Sequence, residues 1–99
     1  VSRGSGLSAA EEERLALVIE EMAEAIQIAA KALRHGWQPF DHAVDPPVEY
    51  DNRALFEKEM GQVMHAAKLM CTKGDISGEK IQESMDERGQ SVKKYLHHQ

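Results

Sequence analysis

Leu15-Ala16-Leu17-Val18-Ile19-Glu20-Glu21-Met22-Ala23-Glu24-Ala25-Ile26-Gln27-Ile28-Ala29-Ala30-Lys31-Ala32-Leu33 is the stretch that decides the fold. Apolar residues recur at Leu15, Val18, Ile19, Met22, Ile26, Ala29, Ala30 and Leu33, the spacing of a helix rather than a strand. Just upstream, Ser8 and Glu11 have the spacing of a capping box, in which hydroxyl and carboxylate each take an amide proton of the first turn. Glu11, Glu12 and Glu13 suit the positive end of the helix dipole, and Arg34 and His35 suit the negative end. Gly36 supplies the stop.

Outward from this helix the pattern changes. Between Trp37 and Tyr50 the periodicity vanishes, broken by Pro39, Pro46 and Pro47, so a long loop is expected. Asp51 or Asn52 can cap a second helix carrying Leu55, Phe56, Met60, Val63, Met64, Ala67 and Met70 and ending at Gly74. A short turn over Asp75–Ser77 leads to a weaker third helix. Its stripe is Ile81, Met85, Val92, Tyr95 and Leu96, interrupted by Gly89. The expected class is all-α: an antiparallel helical hairpin with a third helix, one domain over residues 8–99 after a flexible tail over residues 1–7. Three helices this rich in Ala and Met leave apolar surface uncovered, so the bundle is expected to be completed by a homodimer or homotetramer.

Composition narrows the functions. The 99 residues carry a net charge of −5 and 29% charged side chains, which argues against nonspecific nucleic-acid binding, since that needs a basic patch. No apolar run approaches the roughly 20 residues that span a bilayer. Cys71 is the single cysteine, which fits a reducing, cytoplasmic setting. An acidic surface still admits a phosphate ligand, because bound cations invert the local sign.

Glu20, Glu21 and Glu24 lie within one turn, flanked by Ile19, Met22 and Ile26. Like charges at three- and four-residue spacing repel, so a partly buried trio calls for a compensating lysine or metal. On the second helix Glu59 and Gln62 share a face, and Gly61 between them permits close backbone approach. If the two helices are antiparallel, Glu59 can face Glu21 and Glu24 across a groove, as inward carboxylates do in metal-binding bundles. A solvated acidic helix face is the plainer account of the first trio taken alone.

Glu20-Glu21-Met22-Ala23-Glu24 followed by Glu59-Met60-Gly61-Gln62-Val63 resembles the all-α nucleoside triphosphate pyrophosphohydrolases of the MazG type. The resemblance covers about residues 8 to 73. Its flanks, Lys31-Ala32-Leu33-Arg34-His35-Gly36-Trp37 and Asp51-Asn52-Arg53-Ala54-Leu55, are similar to short phage and bacterial forms. The family pattern is Glu-x-x-Glu, then Glu-x-x-Asp; Glu21, Glu24 and Glu59 match, and Gln62 stands in place of the Asp.

The resemblance implies hydrolysis of a nucleoside triphosphate to the monophosphate and pyrophosphate, with a purine deoxynucleotide such as dGTP and phage nucleotide-pool adjustment as the setting. It implies two or three Mg²⁺ or Mn²⁺ ions held by Glu21, Glu24 and Glu59, with Gln62 as a neutral ligand. Glu20 and Glu21 are the catalytic candidates, Glu20 as a further ligand or the base that orients water. Lys31, Arg34, Asn52 and Arg53 are candidates for phosphate contacts, and Trp37 for stacking on the base or anchoring the loop. Two other functions stay open: phosphoribosyl-ATP pyrophosphohydrolysis, and a non-catalytic helical nucleotide-binding or interaction module.

Overall fold

A computed structural model describes residues 4–38, 40, 41, 48, 49 and 51–99. Three helices dominate: α1 over Ala9–His35, α2 over Asn52–Thr72 and α3 over Gly78–Ser91, followed by a single 3₁₀ turn over Val92–Lys94. No helix among the described residues is long and apolar enough to cross a membrane.

The expected capping box forms. Ser8 Oγ accepts from the Glu11 amide at 3.1 Å, and the Ser8 amide donates to Glu11 Oε1 at 3.0 Å. α1 stops at Gly36, whose φ of 86° lies in the left-handed region that side chains avoid. Of the two possible caps on α2, Asp51 serves: its Oδ1 accepts from the Ala54 amide at 2.9 Å. Gly74, at φ 85°, turns the chain after α2, and Ser77 Oγ caps α3 by accepting from the Lys80 amide at 3.2 Å.

α1 and α2 pack antiparallel, as two contacts at opposite ends demonstrate. Near the start of α1, Arg14 meets Asp75 just past the end of α2, with Nε–Oδ2 at 2.6 Å and Nη2–Oδ1 at 2.8 Å. At the other end the Asn52 amide donates to the Trp37 carbonyl at 2.7 Å. The apolar contact between the helices is small: Val18, Ala66 and Met70 form its buried cluster, with Leu17 packed against it and Ala25 buried further along.

Two expectations from sequence are revised. The loop after α1 carries a two-residue antiparallel ladder, Phe40 opposite Glu49 and Asp41 opposite Val48; Pro39, Pro46, Pro47 and Tyr50 lie outside the described residues, as do residues 1–3 of the expected tail. Within the expected tail, the Leu7 amide donates to Ser5 Oγ at 3.2 Å, and that hydroxyl donates to Glu12 at 3.3 Å. α3 runs straight through Gly89 and buries no residue. It packs appreciably on neither α1 nor α2, because its stripe is short and the α1–α2 seam is already closed. The radius of gyration is 18.0 Å, against about 13 Å for a compact chain of this length.

Candidate metal centre

α1 and α2 meet along one seam of α1, made by Arg14, Val18, Glu21, Ala25, Ile28 and Ala32, all buried or half-buried. Glu21 therefore enters the helix interface because of its register, four residues before Ala25 and three after Val18. Glu24 sits at the rim of the same interface and is exposed. From α2, Glu59 projects inward seven residues before Ala66 and is only 5% exposed. One ligand atom from each of Glu21, Glu24 and Glu59 lies within 4.8 Å of the others. The antiparallel packing thus brings together the three acids that share the spaced pattern.

Three carboxylates this close cannot all remain ionised without help. Hydrogen bonding to Glu21, then to Glu24, followed by burial and repulsion from both, pushes the Glu59 carboxyl from 4.5 up to about 8. The shift favours the protonated form of Glu59 beside the two α1 acids. Gln62 supplies the other support. With the amide turned so that its nitrogen faces acceptors, Nε2 donates to Glu59 Oε2 at 2.9 Å and to Glu21 Oε2 at 2.9 Å. Gln62 thus stands in this cluster as a donor bridging two acids, which an aspartate at that position cannot be when ionised.

The donor set suits a divalent ion. Mg²⁺ and Mn²⁺ take carboxylate oxygens, and Mg²⁺–O distances of about 2.1 Å put neighbouring ligand oxygens roughly 3 to 4 Å apart. Glu21, Glu24 and Glu59 are the residues that could hold one, with the proton on Glu59 and the amide hydrogens of Gln62 giving way to it. The Arg14–Asp75 and Lys80–Glu83 ion pairs both lie away from this cluster.

Beside the acids opens a small cleft of about 180 Å³, lined by Glu24, Ile28, Leu55, Lys58, Glu59 and Gln62. Lys58 is the cation that sequence reasoning passed over as a ligand-binding candidate. Its signal was the shared face of Leu55, Lys58, Glu59 and Gln62 at three- and four-residue steps.

The other candidates are placed less uniformly. Glu20 is exposed and stands outside the three-acid group; it lies one position from Glu21, about 100° around the helix. Lys31 is half-buried and Arg34 exposed, both towards the C-terminal end of α1. Asn52 is fully buried: its Nδ2 donates to the Gly36 carbonyl at 3.0 Å, and its Oδ1 has no partner. Its work is to tie the start of α2 to the end of α1, and as a buried side chain it offers no open surface to a phosphate. Trp37 has the Arg53 guanidinium carbon 5.6 Å from its ring centre and the Phe56 ring centre 6.0 Å away. The indole is 44% exposed and borders a shallow apolar hollow of about 390 Å³ with Ala29, Ala32, Leu33 and Gly36. Gly61 faces open space, so its expected role in close backbone approach is not realised within the chain.

Set beside known proteins, the chain matches no protein-family profile, no curated protein and no solved structure.

Proposed function

We propose that this chain is a metal-dependent nucleoside triphosphate pyrophosphohydrolase, releasing the nucleoside monophosphate and pyrophosphate. The observation that carries the proposal is the meeting of Glu21, Glu24 and Glu59 from two helices, with ligand atoms within 4.8 Å and Glu59 buried. Buried like charges cost stability, and such an arrangement is explained by a cationic ligand that the fold is built to receive. The resemblance of Glu21-x-x-Glu24 and Glu59-x-x-Gln62 to the MazG-type pattern supplies the substrate class.

Divalent ions bound there would neutralise phosphate charge and acidify a water for attack on phosphorus. The chain's own residues do the rest. Glu21 and Glu59 are oriented by the Gln62 amide. Lys58, at the cleft, offers a charge to a phosphate oxygen. Trp37, backed by Phe56 and Arg53, offers an indole face to a base at the adjoining hollow. Glu20, exposed one position from the cluster, is left as the residue that can orient water from outside it.

Gln62 favours a second function, nucleotide binding without turnover, because a neutral donor replaces the fourth acid. One assay separates the two. Ribo- and deoxynucleoside triphosphates, with a purine deoxynucleotide first, are incubated with Mg²⁺ or Mn²⁺ and pyrophosphate is measured, for the natural chain and for Gln62→Asp. Release by the natural chain is the expected result. Release only by Gln62→Asp, with the nucleotide still bound by the unaltered chain in titration calorimetry, would establish the binding function, and release by neither would overturn the hydrolase.

A further inference from the structure

Asn52, the first residue of α2, is wholly buried, yet its Oδ1 has no hydrogen-bond partner. A buried polar atom left unpaired costs stability, and a leucine of similar size would avoid that cost. Packing alone therefore does not call for asparagine here. The side-chain nitrogen does: Nδ2 donates to the Gly36 carbonyl at 3.0 Å.

The main-chain amide of the same residue donates to the Trp37 carbonyl at 2.7 Å. One residue of α2 thus holds two successive carbonyls at the exit of α1. The Gly36 carbonyl belongs to the peptide plane that enters Trp37, and the Trp37 carbonyl to the plane that leaves it. A residue has only two soft backbone torsions, and each joins its Cα to one of those planes. With both planes held, the Cα–Cβ direction of Trp37 is set, and only the side-chain torsions remain. The Arg53 guanidinium carbon at 5.6 Å and the Phe56 ring at 6.0 Å restrict those from the first turn of α2. Gly36 is anchored from the other side as well, its amide donating to the Ala32 carbonyl at 2.7 Å while its φ of 86° turns the chain out of α1.

The orientation matters at the hollow of about 390 Å³ that Trp37 lines with Ala29, Ala32, Leu33 and Gly36. Apart from the indole N–H, these side chains offer no polar group. A flat base would be held there by stacking on the indole, and stacking requires the ring to lie at the right offset and angle. Glu59 lies seven residues further along α2, two turns or about 10 Å from Asn52. The intervening helix separates what happens at the indole from what happens at the acids.

We propose that Asn52 is a positioning residue for base binding: by holding the Gly36 and Trp37 carbonyls it aims the indole of Trp37 at the hollow, so that affinity for a base depends on Asn52 and affinity for phosphates does not. This rests on the nucleotide reading of the hollow under the proposed function.

Asn52→Leu and Asn52→Asp test it. Leucine removes the donor; aspartate keeps the shape and turns an acceptor towards the Gly36 carbonyl. Trp37 is the single tryptophan, so indole emission reports on this ring alone. In the natural chain, time-resolved anisotropy is expected to show an indole that tumbles with the whole molecule, a test that needs no variant. Both variants are expected to add a fast local component at unchanged helical circular dichroism. A fast component in the natural chain, or none in the folded variants, would overturn the proposal. Calorimetry then separates base from phosphate. A purine deoxynucleoside monophosphate is expected to bind each variant about 10-fold more weakly than the natural chain, roughly the loss of one hydrogen bond. Pyrophosphate with Mg²⁺ is expected to bind all three chains within about 2-fold, as for sites that do not share a partner. Equal losses for both ligands, no loss for either, or no binding of the monophosphate to the natural chain would overturn the positioning role. Loss for the monophosphate with no binding of pyrophosphate to any chain would uphold Asn52 and count against the hydrolase.

Discussion

Two charged contacts join α1 to α2 or to the turn that follows it, and they are opposites. At one end Arg14 and Asp75 form a balanced bidentate pair with distances of 2.6 and 2.8 Å. Each helps the other: Arg14 holds the Asp75 carboxyl below its ordinary value, through the hydrogen bond more than through charge alone. In the middle, Glu21, Glu24 and Glu59 converge acid on acid, their ligand atoms within 4.8 Å of one another, with the Glu59 carboxyl raised by the other two and Lys58 lining the cleft beside them. The first contact fastens the hairpin. The second works against it, and a fold tolerates such a site where a ligand repays the repulsion. Balanced charge marks structure here, and unbalanced charge marks the candidate centre.

The sharpest way to break that contrast is to remove one acid. Glu59→Ala and Glu24→Ala are each expected to lower pyrophosphate release by at least about 100-fold, while Asp75→Ala leaves turnover per folded molecule within a few-fold. Comparable losses from all three would erase the distinction. Next in size is the effect of metal on stability. Mn²⁺ is expected to raise the Tm of the natural chain by several degrees and to leave Glu59→Ala unmoved, since ligands that bind only the folded state stabilise it. An equal shift in both would place the ion elsewhere.

The pH dependence separates the two contacts by sign. Glu59 has a folded value near 8 against 4.5 for the free group, so the folded state holds the extra proton. Its stabilising contribution is complete below about pH 4.5, shrinks as pH rises, and is gone above about 8. Asp75 is lowered from 3.8, so its contribution is present above that value and is lost as pH falls below it. Thermal melts of the metal-free chain are therefore expected to weaken on both sides. Glu59→Gln should remove the alkaline decline, and Asp75→Asn the acid one. Saturating Mn²⁺ should also flatten the alkaline limb, because an ion prefers the ionised carboxylates. The smallest effect is expected from Gln62→Leu without metal: a modest fall in Tm from two lost hydrogen bonds, read by calorimetry. A rise would mean that the amide does not bridge Glu21 and Glu59.

Much of this was legible in the linear chain. Ser8 and Glu11 form the predicted cap, Gly36 and Gly74 turn the chain where expected, and Glu21, Glu24 and Glu59 do converge. These succeed because helix periodicity and capping are local, and because antiparallel packing of two long helices leaves few registers open. The misses are those that depend on distant partners. Asn52 was a phosphate candidate by its place at a helix start, and burial against Gly36 makes it a structural tie. Trp37, expected either to stack on a base or to anchor the loop, meets Arg53 and Phe56, partners that a loop sequence does not name in advance. Asp75, read as part of a turn, is the mate of Arg14 across 61 residues.

Periodicity and capping residues alone establish that this protein is helical, where each helix starts, and which acids share a face, since all three follow from neighbours within a few residues. Tertiary packing added that Glu59 is buried beside two other acids, which raises its carboxyl, that the Gln62 amide lies within hydrogen-bond reach of Glu59 and Glu21, and that Val18 and Ala25 are buried while Ile19 and Ile26 are exposed. Those depend on which surface of each helix is removed from water. That choice is made between helices, by packing and desolvation, and no single stretch of chain encodes it alone.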